Sequence, residues 1–529
     1  MEIRARSVAA SNQPTATCHH RRPRVVAIGD SLTAGTQDST TVENRQAQSY
    51  MPQLARAVGL PFRMAYVSEG GIGPRLFVNG EFNYGHVQRR GQAISEATAP
   101  LEQQLANGDI PTDLTAVWNI PNMGSRTEES RDLFAHRQGN FAVPGYEIRH
   151  LTEVSHYNDY LRAMRDGEEA SGLAGEVPLV RALLQNGTDE SRGSAMDQAV
   201  RRNPDLAVVW AGNNDALETV GHGRVDDRLL TPVEDRPWTY LARNPETGQW
   251  EQKTTAHTVS GFRTSLLGDN GVLPRLLAET RAEIMLMTIP DVTTIPVLRN
   301  VGEKVGDLPF RVTLPDGRDV TAMIENWVLP ASIRGAGKDG RTEFPAGSKV
   351  AMGNLLSRFV QQGNIESPEH LKQMLNDFSS QGMFTEDDVL DTDELSTISS
   401  RIREYNALIL CARDLDPRIH VLDVHAEFSR MQTEGRQLRG PGAPLSVSTT
   451  FTGALDEQGR EGIFSYDGVH PSDTGHAIVA NMILDKVKEE LGDNPKFGCF
   501  VDAAAIDEKA VLASDPHHLG NAIVLGKSA

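Results

Sequence analysis

Four short and almost uninterrupted apolar segments are spaced along this chain of 529 residues. They lie at 25–28, 206–211, 282–289 and 418–424, and glycine, proline or a charged residue stands beside each one. A run of this kind is typical of a parallel strand that is covered on both faces, since a half-exposed strand alternates apolar and polar residues instead. Such strands need helices on both sides of the sheet. The runs therefore predict an α/β fold.

Helical periodicity lies between these runs. Ile398, Ile402, Tyr405 and Ile409 share one helical face ahead of the fourth run, and 477–491 predicts a closing helix. Strands that alternate with helices favour a doubly wound, three-layer α/β/α domain with a mostly parallel sheet. The segments expected to build it are 24–35, 140–165, 199–217, 276–296, 396–429 and 462–492.

Three long stretches fit this alternation poorly because they are rich in glycine, proline and charge. We interpret 36–135, 218–270 and 297–395 as insertions that lie above the carboxyl ends of the strands, where they could form a lid. We expect a disordered leader at 1–22, one domain over 23–492 and a C-terminal tail at 493–529.

Composition excludes several classes of partner. The chain has 52 Lys and Arg against 71 Asp and Glu, a net charge of −19, which argues against nucleic acid and against an anionic membrane surface. Its three cysteines form no disulfide or zinc pattern. No apolar stretch is long enough for an integral membrane segment, and no signal peptide is visible. The chain as given is expected in the cytoplasm, or outside it if the N-terminus is incomplete, and the oligomeric state stays open.

A serine stands at the end of the first apolar run, in Gly29-Asp30-Ser31-Leu32. Open α/β sheets hold their ligands at the carboxyl ends of the strands, so Ser31 is well placed to act as a nucleophile. An ordinary turn made of glycine and small polar residues is the alternative.

Two later strings could complete an acyl-transfer site. Asn214, in Gly212-Asn213-Asn214-Asp215 after the second run, could offer its amide to a developing oxyanion. His470 could act as the base for a serine, and Asp467, three residues earlier, can reach its Nδ1 atom. The alternatives are an Asn/Asp turn and a capping turn.

The last component of such an acyl-transfer site is a glycine that exposes its backbone N–H to the ligand. Gly145 ends the string 140–145, Asn-Phe-Ala-Val-Pro-Gly, before a helix expected near residue 148. Gly70 and Gly71 offer a second possibility after another strand-like run, 62–67, but they lack the preceding asparagine.

In this order the strings resemble the SGNH, or GDSL, hydrolase family of esterases and lipases, and their flanks are similar to a large bacterial branch of it. The resemblance implies a flavodoxin-like fold and a catalytic triad of Ser31, His470 and Asp467. It also implies an oxyanion hole made by the N–H groups of Ser31 and Gly145 and the amide of Asn214. It implies no metal and no organic cofactor.

The activity that the resemblance implies is hydrolysis of a carboxylic ester. The substrate would be a small ester, a lipid or an acylated sugar, and the insertions leave its class open. A thioesterase, a phospholipase and a carbohydrate O-deacetylase stay as alternatives, as does a non-catalytic binding protein on the same fold.

Overall fold

The four apolar runs form the central sheet in a computed structural model. The strands are β1 (Val25–Gly29), β2 (Leu206–Trp210), β3 (Glu283–Met287) and β4 (Ile419–Leu422). They pair in this order and every pairing is parallel. All residues of β1 and β2 are buried, as the runs predicted. The structure describes residues 22–73, 77–78, 81–82, 84–131, 138–170, 172–243, 250–313, 319–329, 331–334, 340–351, 370, 373, 377, 384–452 and 455–518.

A fifth segment extends the sheet beyond β1. Ala27 donates its N–H to Gly139 O at 2.8 Å, and Phe141 donates its own to Ala27 O at 2.9 Å. The segment 139–143 is therefore parallel to β1, and the spatial order is 139–143, β1, β2, β3, β4. This is the 2-1-3-4-5 order of flavodoxin-like sheets, whose ligands bind where the direction of winding reverses.

The strand-like run at 62–67 forms no regular strand of this sheet. Within the described residues its isolated bridge joins Val67 to Arg126. Gly139 donates its N–H to Arg63 O at 2.7 Å, so the run lies beside the edge segment 139–143.

Helices cover both faces of the sheet, which confirms the predicted three-layer α/β/α class. The main ones are α1 (Ser31–Ala34), α2 (Tyr50–Ala57), α3 (Ala195–Arg201), α4 (Asn214–His222), α5 (Thr392–Ala412), α6 (Val424–Glu434) and α7 (Asp473–Leu491). One layer holds α2 and α7, which pack together, while α3 packs on β1 and on the helix Val272–Glu279 in the other layer. Their apolar side chains join the strands in one core.

Smaller elements fill the stretches between the core segments. Helices span Glu43–Gln46, Tyr84–Ala106, Thr115–Trp118, Glu128–Arg131, His150–Glu153, Tyr157–Arg165, Glu176–Leu183, Phe262–Leu267, Gly498–Asp502 and Glu508–Ser514, and 3-10 turns span Val292–Thr294, Glu386–Asp388 and Pro495–Phe497. Strands span Phe77–Val78, Glu81–Phe82, Thr239–Arg243, Trp250–Thr254, Leu298–Asn300, Lys304–Thr313, Asp319–Val328, Lys349–Ala351, Val389–Leu390, Arg436–Gln437, Ser446–Phe451 and, as β5, Glu461–Phe464.

Both ends of the chain bear on the predicted organisation. Residues 1–21 of the expected leader lie outside the described residues. Beyond residue 492, the short helices Gly498–Asp502 and Glu508–Ser514 pack on α7. Across the described ranges, no helix combines the length and the apolar character needed to cross a membrane.

Candidate active site

Ser31 is held at the carboxyl end of β1 by a short capped helix. The side chain of Asp30 caps α1 by accepting the Leu32 N–H at 3.1 Å, so Ser31 is the first helical residue. The helix ends after one turn at Gly35, which has a φ of 82°. Ser31 is only 6% exposed. This geometry fixes its position at the edge of the sheet where the winding reverses.

His470 lies in a tight turn between β5 and α7. Ser465 donates its N–H to His470 O at 2.7 Å, and Gly468 donates to Ser465 O at 2.9 Å. Phe464 and Pro471 then form an isolated bridge at the base of the turn. The loop is thus closed at both ends, which restricts where the imidazole can point.

Asp467 accepts five hydrogen bonds, and they orient its carboxylate toward His470. Oδ2 accepts the Ser39 N–H at 2.6 Å and lies 2.7 Å from His470 Nδ1. Oδ1 accepts the backbone N–H groups of Val469 and His470 at 2.8 and 2.9 Å and the Ser465 hydroxyl at 3.1 Å. Because an ionised carboxylate only accepts, Nδ1 of His470 carries a proton and Nε2 is left as the acceptor.

The charged forms of Asp467 and His470 stabilise each other. Burial alone would raise the pKa of Asp467, but the imidazole of His470 and the donated hydrogen bonds bring it well below its ordinary value. Burial would lower the pKa of His470, yet the carboxylate of Asp467 raises it overall. The arrangement therefore stabilises an imidazolium at position 470, the form that a general base reaches after it takes a proton.

One apolar cavity brings Ser31 and the His470 turn together. Ser31 and Leu32 line it on one side, and Val469 and Pro471, which flank His470, line it on another. The remaining lining residues are Trp210, Asn213, Leu217, Pro290, Val292, Ile295, Phe428 and Phe464. Its free space is about 30 Å³, enough for roughly one water molecule. The apolar walls are closely packed around the serine.

Asp30, which precedes Ser31, interacts with both Asn213 and His470. Burial raises the pKa of Asp30 to about 6, although the Asn213 amide, which donates to Asp30 Oδ2 at 2.8 Å, opposes this rise. The charge of His470 also acts on Asp30. Asn213 also lines the cavity, and its hydrogen bond to Asp30 is a contact that the sequence patterns did not identify.

Asn214 lies beside the predicted oxyanion glycine. Its amide donates to the carbonyl of Tyr146 at 3.0 Å, directly after Gly145. A primary amide has two N–H bonds, so one remains for another acceptor. Gly145 has a φ of 85°, and a Cβ there would lie 2.4 Å from the Glu176 carboxylate, so only glycine fits. Among the described residues, the N–H groups of Ser31 and Gly145 donate no hydrogen bond.

The glycine pair at 70 and 71 is engaged elsewhere. Gly71 donates its N–H to Ser68 O at 3.1 Å, and the guanidinium of Arg90 binds the carbonyl oxygens of both glycines. The N–H of Gly71 is thereby used within its own turn.

Two other features are separate from the serine cavity. A groove of about 580 Å³ runs between the 225–252 region and α5, and none of the predicted site residues lines it. Within the described ranges, Glu147, His150 and Glu169 have the spacing for a metal. The Arg149 guanidinium binds both glutamates, so it already supplies the positive charge that a metal ion would bring to this cluster.

One range of the chain matches a known protein family. The family model described as GDSL-like Lipase/Acylhydrolase matches residues 25–274. Neither the curated proteins nor the solved structures contain a match. The matched range includes Ser31, Gly145 and Asn214, whereas Asp467 and His470 lie beyond it.

Proposed function

Because this chain carries a GDSL-like lipase/acylhydrolase domain of the SGNH/GDSL hydrolase family, we propose that it hydrolyses carboxylic esters by acyl transfer to Ser31. The observation that supports this most is the 2.7 Å contact between Asp467 and His470 Nδ1, on a turn whose flanking residues share a cavity with Ser31. A non-catalytic binding protein would not need a histidine held in one tautomer.

The reaction begins when His470 Nε2 takes the Ser31 hydroxyl proton as Oγ attacks the ester carbonyl carbon. The carbonyl π electrons move to oxygen and form an oxyanion. When the tetrahedral intermediate collapses, the bond to the alcohol oxygen breaks and His470 returns its proton to the leaving alcohol. Water then attacks the acyl-serine by the same two steps, which releases the acid and restores Ser31.

The oxyanion is stabilised by three donors in this proposal. They are the N–H groups of Ser31 and Gly145 and the second N–H of the Asn214 amide. The first N–H of that amide binds Tyr146 O and so couples the position of Asn214 to the Gly145 turn. Donors that are held in place before the charge develops need no reorganisation during the reaction.

The size of the cavity favours a short acyl group. With about 30 Å³ free beside Ser31, an acetyl group displaces the walls less than any longer acyl group would. A longer chain must displace Val292, Ile295 or Phe428, which line the same space. We therefore propose a short-chain ester or an O-acetylated sugar as the substrate rather than a long-chain lipid.

The test is turnover of p-nitrophenyl esters from acetate to palmitate by the purified full-length chain. We expect kcat/KM to fall steeply with acyl length, covalent labelling by a fluorophosphonate, and no loss of activity in a chelator. Ser31→Ala should lose both turnover and labelling. Absence of turnover and labelling in a folded wild-type protein would favour the binding-protein alternative. A maximum at long chains would overturn the acyl-length proposal alone.

A further inference from the structure

The last described residues of the chain pack against Asp38, close to the turn that holds His470. His517 is fully buried, and its Nε2 atom lies 3.0 Å from both carboxylate oxygens of Asp38. Its Nδ1 atom lies 3.0 Å from Asp515 Oδ1. A histidine with a carboxylate on each ring nitrogen donates from both when it is protonated. His517 therefore joins the C-terminal segment to Asp38.

Asp38 and the next residue adopt a backbone conformation that L-residues avoid. Their φ angles are 53° for Asp38 and 54° for Ser39, both in the left-handed region. They are the central pair of a two-residue hairpin turn that is closed by backbone hydrogen bonds between Gln37 and Thr40, and a non-glycine residue at both places is strained. The contacts from Arg45 and His517 to the Asp38 carboxylate add a restraint to the one that these backbone bonds supply.

This strained turn carries hydrogen bonds to the catalytic carboxylate. The Ser39 N–H donates to Asp467 Oδ2 at 2.6 Å. The Asp38 N–H donates to Ser465 Oγ at 3.2 Å, and that hydroxyl donates to Asp467 Oδ1. Asp38 Oδ1 also accepts the Tyr466 N–H at 3.1 Å. Asp38 is thus the point where the C-terminal segment, the 38–39 turn and the histidine turn meet.

We propose that His517 is a positioning residue for ester hydrolysis, which keeps the 38–39 turn in its strained form so that Ser39 orients Asp467 toward His470. The inference rests on the proposed function, because it assigns Asp467 to the triad. His517 touches neither substrate nor reacting atoms in this arrangement. It acts through Asp38 and Ser39.

The groups that face His517 keep it charged. Burial alone would lower the pKa of His517, but the carboxylates of Asp38 and Asp515 raise it to about 10. The ring edge of Tyr466 packs against it, with centroids 4.7 Å apart. Asp473, on α7, also interacts electrostatically with it. The imidazolium form therefore persists across the neutral pH range, so the restraint on Asp38 is permanent there.

The test compares His517→Gln with His518→Gln. His518 is the matched control because it lies in the same segment but pairs with Glu461 at 2.8 Å, away from the 38–39 turn. We expect His517→Gln to lower kcat about tenfold to a hundredfold with little change in KM, since small misplacements of catalytic groups have effects of this order. The acid limb of its kcat/KM profile should move to lower pH, because a loosened Asp467 raises the pKa of His470 less.

A second substitution tests the route through the turn. Glycine adopts positive φ without strain, so Ser39→Gly in the His517→Gln background should recover part of the lost kcat. The inference is overturned if His517→Gln lowers only the melting temperature, with kcat per folded molecule and the acid limb unchanged. It is also overturned if His518→Gln has the same effects. If wild-type turnover is independent of Ser31, the proposed function fails and this inference fails with it.

Discussion

Replacing Asp467 by asparagine should reverse the tautomer of His470. The carboxylate accepts three donors on Oδ1 and two on Oδ2. An amide has one oxygen and one NH₂ group, so it cannot satisfy both sets. If the NH₂ took the Oδ1 place, it would face the backbone N–H groups of Val469 and His470 and leave both without an acceptor.

The opposite orientation of the amide costs less. Its oxygen then keeps all three donors at the Oδ1 place, and its NH₂ faces Ser39 N–H and His470 Nδ1. One buried N–H, that of Ser39, loses its acceptor, which costs about 1–3 kcal/mol. Nδ1 becomes an acceptor, so the ring proton moves to Nε2. A histidine protonated there cannot take the proton of Ser31.

The expected result of Asp467→Asn is a loss of about 10⁴ in kcat, as the same change causes in other serine hydrolases. This corresponds to ~5.4 kcal/mol of transition-state stabilisation. KM should change little, because the substrate does not touch position 467. The measurement is kcat and KM on p-nitrophenyl acetate, with the melting temperature of the same preparation.

Ser465→Ala is the matched control for this experiment. It removes one of the three donors to Oδ1 and the acceptor of the Asp38 N–H, and it leaves the tautomer of His470 unchanged. Its kcat should fall by no more than about thirtyfold, in keeping with the loss of two hydrogen bonds worth about 1 kcal/mol each. A folded Asp467→Asn variant that keeps a tenth or more of wild-type kcat would refute the assignment of Asp467.

Three further outcomes follow from the same geometry. Ser31→Ala and His470→Ala should each abolish most turnover, and the double variant should lose little more, whereas additive losses would count against a joint role. Asn214→Ala should lower kcat by about 10²–10³ (~2.7–4 kcal/mol) at nearly constant KM. Asn213→Ala should lower kcat less. If Asn213→Ala has the larger effect, Asn213 rather than Asn214 is the side-chain donor to the oxyanion. The pKa of His517 is raised from 6.5 to about 10. Its contribution to the stability of the folded protein is therefore complete below pH 6.5 and is lost as the pH rises through about 10. The difference in melting temperature between wild type and His517→Gln should therefore shrink over that range, and a difference that grows with pH would contradict this.

The main sheet was predictable because its strands are buried on both faces. Nothing polar interrupts β1 or β2, so the pattern alone located them. The edge segment 139–143 lies almost entirely within 140–165, which was expected in this domain, but no apolar run marks it as a strand and its Pro-Gly ending has the composition of a turn. The run at 62–67 is strand-like in composition but forms no regular strand, and the bond from Gly139 N–H to Arg63 O joins it to the edge segment.

The contact between Asp467 and His470 could be predicted because it is local. The two residues are three positions apart, so a single turn can join them. Which of Asn213 and Asn214 faces the cavity depends on how α4 begins, and no spacing rule gives that. The link from His517 to Asp38 has no local signal, because it depends on how the C-terminal segment packs against the 38–39 turn.

If His517 positions the triad as proposed, that link also bears on when activity can arise during synthesis. His517 and Asp38 are 479 positions apart, and Ser39 is 428 positions from Asp467. At ~5–20 residues per second, a ribosome needs roughly 25–95 seconds to make the intervening chain after Asp38 has emerged. Under the proposed function, the nascent chain holds Ser31 without its base until His470 has been added. A product that ends between His470 and His517 would keep the proposed triad but lack the restraint on Asp38, so its kcat is expected to be lowered as in His517→Gln.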